Sequence, residues 1–346
     1  MVTRRTKRLP RRTIAKQKRL PPNTLENIVP PNEDYDYFKD RRRHPFRYES
    51  NNLEMVNAWW LAEAALLAYA QPEFAAPCFQ KAGLQCKFFD GDSSQCYVAN
   101  NDDFVMVTFR GTEVRQREGT SGYDLRYVVA DWLVDSETCL LDAGQGRFVH
   151  EGFFEALDEI WDRLKPYLDE VSNKDGQKRP IWFTGHSLGA ALATLAVDRY
   201  KDVAGLYTFG SPRVGDRAFA KDFGIANHRF VNNDDVITKV PFFGTYQDGN
   251  SSRTLPFGWY HHIGDTKYID QEDIIHTNPP VWIRLLWNFR KVLKNAINWG
   301  LLVLRLRREL PDNALTDHAP IYYPIRIWNN YVREHQETQQ SNSASR

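Results

Sequence analysis

From residue 103 to residue 235 the chain alternates short, β-prone apolar runs with longer stretches whose apolar positions recur every three or four residues. Asp103–Phe109, Pro180–Thr184, Ala204–Phe209 and His228–Asn232 read as strands. Between them, Glu151–Val171 puts Phe154, Leu157, Ile160, Trp161, Leu164 and Leu168 on one face of a helix. Leu188–Tyr200 also has helical spacing, with neither Gly nor Pro after Gly189, and a shorter helix is expected near Val214–Phe223. Upstream, Asn57–Ala70 reads as a buried helix, and Gln95–Ala99 precedes the first of these strands across the polar turn Asn100–Asp102. Such alternation predicts an α/β fold with a mostly parallel sheet and helices on both faces. Ligands then lie at the carboxyl ends of the strands.

One junction in this pattern carries chemistry. Residues 180–196, PIWFTGHSLGAALATLA, set Ser187 between Gly185 and Gly189 where a strand runs directly into a helix. A Gly-x-Ser-x-Gly match arises by chance about 0.1 times in a chain of this length, so the strand before it and the helix after it decide the reading. The sharp turn strains its central residue, tolerates only small flanking residues and holds the serine Oγ exposed. The helix start aims unpaired N–H groups and a partial positive charge at the point where an oxyanion would form. This predicts a nucleophilic hydrolase.

A serine hydroxyl is a poor nucleophile at neutral pH, and it needs a histidine to take its proton and a carboxylate to orient the imidazole. On α/β-hydrolase folds the acid and then the histidine follow the serine in chain order. That order excludes His228 and leaves His261, His262, His276, His318 and His335. His318 is favoured because Leu315–Pro320, LTDHAP, reads as a polar loop before an aromatic-rich terminal segment, whereas His261 and His262 lie beside a strand. Asp234 and Asp235 both stand just past a strand end. Adjacent side chains there point in different directions, so one of the two should face His318. Asp216 reads as a helix-start residue that complements the dipole.

With 346 residues, 42% hydrophobic and 26% charged, the chain can bury the core of one α/β domain. We expect a basic, Pro-containing tail and extended lead-in over 1–48, a single domain over 49–336 and a disordered tail over 337–346. Nine Lys and Arg and no acidic residue fall in residues 1–20, which lack the apolar run of an export signal. Cys78, Cys86, Cys96 and Cys139 have no C-x-x-C spacing, so no metal or redox site is indicated; free thiols are expected, or a Cys86–Cys96 hairpin disulfide in an exported protein. No cofactor is indicated. The apolar runs are too short to span a membrane, so the chain is expected to be cytoplasmic and at most peripheral at a membrane.

Six segments resemble the class 3 lipases of fungal and plant type, over roughly residues 55–330. Phe109–Thr112 resembles the family's oxyanion strand, Val149–Phe153 its following helix start, and Gly185–Gly189 its nucleophile elbow. Thr208–Gly215 resembles the next strand and turn, Arg229–Asp235 the acid motif and Asp317–His318 the histidine loop. The resemblance implies an α/β-hydrolase fold and a lipid ester substrate. Ser187 would be nucleophile, His318 base, and Asp235 the acid because it lies three residues after an asparagine; the backbone N–H groups of Thr112 and Leu188 would form the oxyanion hole.

The chain departs from the family in two places. The lid region, 113–130, is long and charged before Asp131–Trp132, and an amphipathic helical insertion is expected over 277–311, with seven basic residues and one acid in 281–310. That pattern suits a helix lying in a lipid interface or packed on the core. Residues 1–20 and 281–310 are therefore expected to meet an anionic membrane surface rather than nucleic acid. The expected activity is triacylglycerol lipase-like hydrolysis through an acyl-enzyme. The alternatives are a phospholipase A1, a soluble carboxylesterase, or an inactive hydrolase-fold adaptor.

Overall fold

Eight strands in sequential order form the central sheet of the structure, a computed structural model that describes residues 15–50, 52–112, 139–174, 176–241, 245–248, 251–254, 260–283 and 316–344. They are β1 (Gln85–Asp90), β2 (Gln95–Asn100), β3 (Val105–Phe109), β4 (Ile181–His186), β5 (Gly205–Phe209), β6 (Asn227–Asn232), β7 (Asp265–Ile269) and β8 (Ile275–Thr277). Strands β3 to β7 are mutually parallel; β1, β2 and β8 add antiparallel edges. The helices used below are α1 (Met55–Leu67), α2 (Pro72–Lys81), α3 (Glu151–Ser172), α4 (Leu188–Tyr200), α5 (Arg217–Asp222) and α6 (Tyr322–Ala344).

The two-residue period of the strands divides the core between two faces. Ile181, Phe183, Val105, Val107 and Phe109 meet α3 and α4 on one side, through Leu157, Ile160, Leu164, Leu192 and Leu195. Trp182, Met106, Tyr97 and Tyr207 face the other side, where α1 and α6 bring Trp59, Trp60, Leu66 and Trp328. All thirteen residues of α1 are buried, as its nearly unbroken apolar sequence requires. Each large apolar side chain sealed there contributes about 1.5–3 kcal/mol. This is the mostly parallel sheet with helices on both faces that the alternation predicts.

Four local expectations change. The helix expected over Val214–Phe223 is only α5, because Gly215 and Asp216 pair as a short strand with His261 and Tyr260. Asp216 caps it, its carboxylate accepting the Phe219 N–H at 2.8 Å. Residues 15–48, expected as an extended lead-in, pack on the α1–α6 face: Phe38 is wholly buried, and Lys18 Nζ lies 3.1 Å from the buried Glu63 carboxylate. At the other end α6 continues through Ala344, across most of the stretch that its polar composition suggests is disordered. Cys86 and Cys96 form no disulfide, because Cys86 stands opposite Ala99 and Cys96 opposite Phe89, and the two side chains project to opposite faces of the sheet.

Among the described residues no helix is long and apolar enough to cross a membrane. Residues 1–14, the expected lid at 113–130 with Asp131–Trp132, and the insertion beyond Ile283 lie outside the described residues.

Candidate active site

Ser187 joins β4 to α4 with φ 57° and ψ −127°, a left-handed conformation that is strained for a residue with a side chain. The flanking glycines are forced by contact. A Cβ on Gly185 would lie 2.3 Å from the Gly189 carbonyl group, and one on Gly189 would lie 2.2 Å from the Phe109 carbonyl oxygen. The first turn of α4 is thereby pressed against the end of β3, which leads through Arg110 and Gly111 to Thr112. Leu188 opens the helix, where N–H groups have no intrahelical acceptor. The Ser187 N–H donates to the Phe209 carbonyl at 3.0 Å, tying the turn to the end of β5.

Of the adjacent aspartates, Asp235 is the one that faces His318. His318 Nδ1 lies 3.0 and 2.9 Å from the two carboxylate oxygens, and both residues are buried. A carboxylate only accepts, so Nδ1 carries the proton and Nε2 presents its lone pair. Asp235 also accepts from the Tyr323 hydroxyl at 2.7 Å and from the Ile237 N–H at 3.0 Å. Asp234 turns the other way and pairs with Lys239. Gly210, one residue past β5 with φ 59°, lies beneath the pair: a Cβ there would come 2.8 Å from Asp235 Oδ2 and 3.0 Å from His318 Nδ1. Ser187, Asp235 and His318 thus converge on the ends of β4, β5 and β6.

His318 lies in a buried helical turn just before α6, not in an open loop. Its carbonyl lies 2.8 Å from His186 Nε2, and His186 Nδ1 lies 2.8 Å from the Tyr69 hydroxyl. The carbonyl only accepts, so His186 Nε2 is the donor and Nδ1 accepts from Tyr69. Burial, reinforced by the neighbouring imidazole of His318, pushes His186 well below the ordinary histidine range and keeps it neutral. The other candidate histidines are engaged elsewhere: His262 Nε2 lies 2.6 Å from the Thr238 carbonyl, His276 Nε2 2.7 Å from Asp270, and His335 Nδ1 3.1 Å from the Tyr331 carbonyl. His261 lies on a short strand opposite Gly215.

Sequence reasoning missed three participants. Tyr323 belongs to the aromatic-rich segment after His318, and its hydroxyl could have been weighed as a partner for the acid. His186 stands at a variable position of the elbow. Tyr69 is separated from it by 117 positions and carries no local signal.

Residues 106–245 match the family model for lipase (class 3). Phospholipase A1-Igamma1 of Arabidopsis thaliana, a chloroplastic protein, is 25% identical over 239 residues, which are 59% of this chain and 45% of that protein. Secreted mono- and diacylglycerol lipase 1 of Fusarium solani is 35% identical over 154 residues, 42% of each chain. The lipase of Rhizomucor miehei is 39% identical over 108 residues, 28% of this chain and 29% of its own. The chain thus spans less than half the length of these curated relatives. A solved structure of Rhizomucor miehei triacylglyceride lipase superposes with a TM-score of 0.46 at 22% identity, covering 63% of this chain and 80% of that one.

Proposed function

Because the chain belongs, through residues 106–245, to the class 3 lipase family, we propose that it is a serine hydrolase that cleaves carboxylic esters of lipids through an acyl-enzyme. The observation that carries this reading is the convergence of the strained Ser187 turn with the buried Asp235–His318 pair around Gly210.

In this reading Ser187 Oγ attacks the ester carbonyl carbon while His318 Nε2 takes the hydroxyl proton. Asp235 holds the imidazole in its Nδ1–H tautomer and stabilises the imidazolium. The tetrahedral oxyanion is received by the backbone N–H groups of Thr112 and Leu188; one such donor is worth about 3 kcal/mol of barrier. The contact of α4 with the end of β3 supports that pairing. Collapse expels the alcohol, which leaves with the proton from His318. A water deprotonated by the same Nε2 then hydrolyses the acyl-enzyme and releases the fatty acid.

The same reading makes the protein peripheral at an anionic membrane, through the basic side chains of residues 1–20 other than Lys18, which Glu63 takes up, and through residues 281–310. Val281 and Trp282, each 62% exposed at the head of the second segment, support it. A cytoplasmic location is supported by the unpaired thiols of Cys78, Cys86 and Cys96. A phospholipase A1 activity is the second reading, favoured by the Arabidopsis relative of that name and by the basic segments.

A fluorophosphonate probe should label the wild-type protein and spare Ser187→Ala. Folded protein that stays unlabelled and turns over no ester would support the adaptor alternative and overturn the hydrolase reading. Parallel assays on triacylglycerol emulsions, anionic phospholipid vesicles and a soluble ester separate the substrate classes.

A further inference from the structure

Arg326 lies on α6 on the same helical stripe as Tyr323 and Asn330. Its Nε is 2.9 Å from Asp273 Oδ1, in the turn joining β7 to β8, and its other arm donates to the side-chain oxygen of Asn232. Asn232 is fully buried at the end of β6, three residues before Asp235. Apart from Arg326, its partners lead to the Asp235–His318 pair. Its Nδ2 donates at 2.7 Å to the carbonyl of Asp317, the peptide that carries His318. Its backbone N–H donates at 3.2 Å to the Tyr323 hydroxyl, which donates onward to Asp235 at 2.7 Å.

A carboxamide is nearly symmetric in shape, so packing alone does not choose between its two orientations. Its partners do. A guanidinium can only donate and a peptide carbonyl can only accept, so with Arg326 in place the Asn232 oxygen must face the guanidinium and the nitrogen must face Asp317. Rotation by half a turn would set donor against donor at one end and acceptor against acceptor at the other. We propose that Arg326 is a positioning residue for this hydrolase: by fixing the Asn232 amide it holds the Asp317–His318 peptide, and with it the imidazole, in register with Asp235. The inference rests on the reading of Ser187, Asp235 and His318 as the catalytic set. It makes Arg326 a residue that acts on turnover without touching substrate.

A purely structural role is the rival explanation, because Arg326 also staples the β7–β8 turn to α6. Asn330 provides the control. It clamps the same turn, donating to the Asp273 carbonyl at 2.7 Å and accepting the Ile275 N–H at 3.2 Å; it touches Arg326 only at its backbone carbonyl, one turn back on α6, and makes no hydrogen bond to Asn232.

The experiment measures kcat, KM and thermal stability for the full chain on a soluble ester. Arg326→Lys keeps the charge and can keep the Asp273 pair but cannot span both partners, and it should lower kcat about 10-fold with KM changed less than about twofold, since a displacement near 1 Å costs up to about 100-fold. Asn330→Ala should lower Tm and leave kcat in place. In an Asn232→Ala background, Arg326→Lys should cost nothing further. Should Arg326→Lys fold poorly, Asp273→Asn slackens the guanidinium from its other side and should move kcat in the same direction by a smaller factor. If Arg326→Lys lowers Tm alone, or if its loss persists undiminished in the Asn232→Ala background, Arg326 is structural and the proposal falls. Wild-type protein that resists the fluorophosphonate probe overturns the hydrolase reading itself; labelled wild type with an indifferent Arg326→Lys overturns only the positioning role.

Discussion

The ring of His186 lies 4.5 Å from the ring of His318, and its Nε2–H donates to the His318 carbonyl at 2.8 Å. A neutral imidazole in that place fixes the peptide of the proposed base from the elbow side. In the proposed mechanism it also sets no second cation beside the imidazolium of His318, which a charged neighbour at that distance would oppose. His186→Phe keeps the ring and removes both hydrogen bonds, stranding the Tyr69 hydroxyl and the His318 carbonyl in a buried site. Two unsatisfied groups at about 1–3 kcal/mol each give an expected loss of about 2–6 kcal/mol in urea unfolding at pH 7, with a fall in kcat. Tyr69→Phe strands only His186 Nδ1 and should cost about half as much. Equal stability of His186→Phe and wild type would show that the chain from Tyr69 to His318 is energetically idle.

The adjacent aspartates should separate by orders of magnitude. Asp235→Asn replaces the acceptor that holds Nδ1–H and favours the wrong tautomer, so kcat should fall about 10,000-fold while the protein still folds. Asp234 pairs with Lys239 and points away from His318, so its removal should change kcat by no more than about threefold. Steady-state kinetics of the two variants on one soluble ester decides the assignment. Comparable losses would mean that Asp234 takes part as well.

What was legible in the sequence followed from local rules. The strand–turn–helix around Ser187 is written in three consecutive stretches, and the alternation of elements brings out the order of the parallel strands because each connection is short and local. The choice of Asp235 over Asp234 was not legible from the residues alone. It depends on the direction of two side chains in one loop, set by the Ile237 N–H and the Tyr323 hydroxyl. The packing of residues 15–48 was hidden for a different reason. Lys18 looks like one more solvated charge until Glu63, 45 positions away, is found inaccessible to solvent and in need of a cation. The tail over 337–344 misled in the opposite sense: Thr338, Ser341, Asn342 and Ser343 are weak helix formers, yet an established helix propagates through them more readily than one nucleates there.

Stability should fall with acid in a defined window. His150 is buried and stacked on Phe153 with ring centroids 4.0 Å apart, and burial pushes its pKa from the ordinary 6.5 down to about 4. Below pH 6.5 the unfolded chain takes up a proton that the folded His150 refuses until about pH 4. The unfolded state therefore binds more protons across that interval, and stability is lost as pH drops through it, at up to about 1.4 kcal/mol per pH unit for one group. His186, pushed down for the same reason, adds in the same direction. Urea unfolding between pH 7 and pH 4.5 should show this slope, and His150→Gln, which cannot titrate, should lower it by about one proton. An unchanged slope in that variant would assign the acid sensitivity to other groups.

Glu63 is inaccessible to solvent and receives four donors: Lys18 Nζ at 3.1 Å, the Tyr35 hydroxyl at 2.8 Å, Trp59 Nε1 at 2.6 Å and the Phe38 N–H at 3.0 Å. Three of these groups are neutral, so the charge is balanced by Lys18, whose ammonium also lies 5.4 Å above the rings of Trp59 and Trp328. The backbone around it is held by α6: Asn329 bonds both the N–H and the carbonyl of Lys18, at 2.7 and 2.9 Å, and Trp328 Nε1 reaches the Lys16 carbonyl at 2.9 Å. Lys18→Met keeps the aliphatic stem and deletes the cation, leaving a buried carboxylate uncompensated; we expect a loss of about 3 kcal/mol in urea unfolding. In a Glu63→Gln background no charge remains to be balanced, so the same substitution should cost under about 1 kcal/mol, giving a coupling near 2 kcal/mol, well inside the range for residues in contact. If Lys18→Met costs the same in both backgrounds, residues 16–18 hold α1 and α6 together by packing and backbone hydrogen bonds alone, and the ion pair adds nothing to the fold.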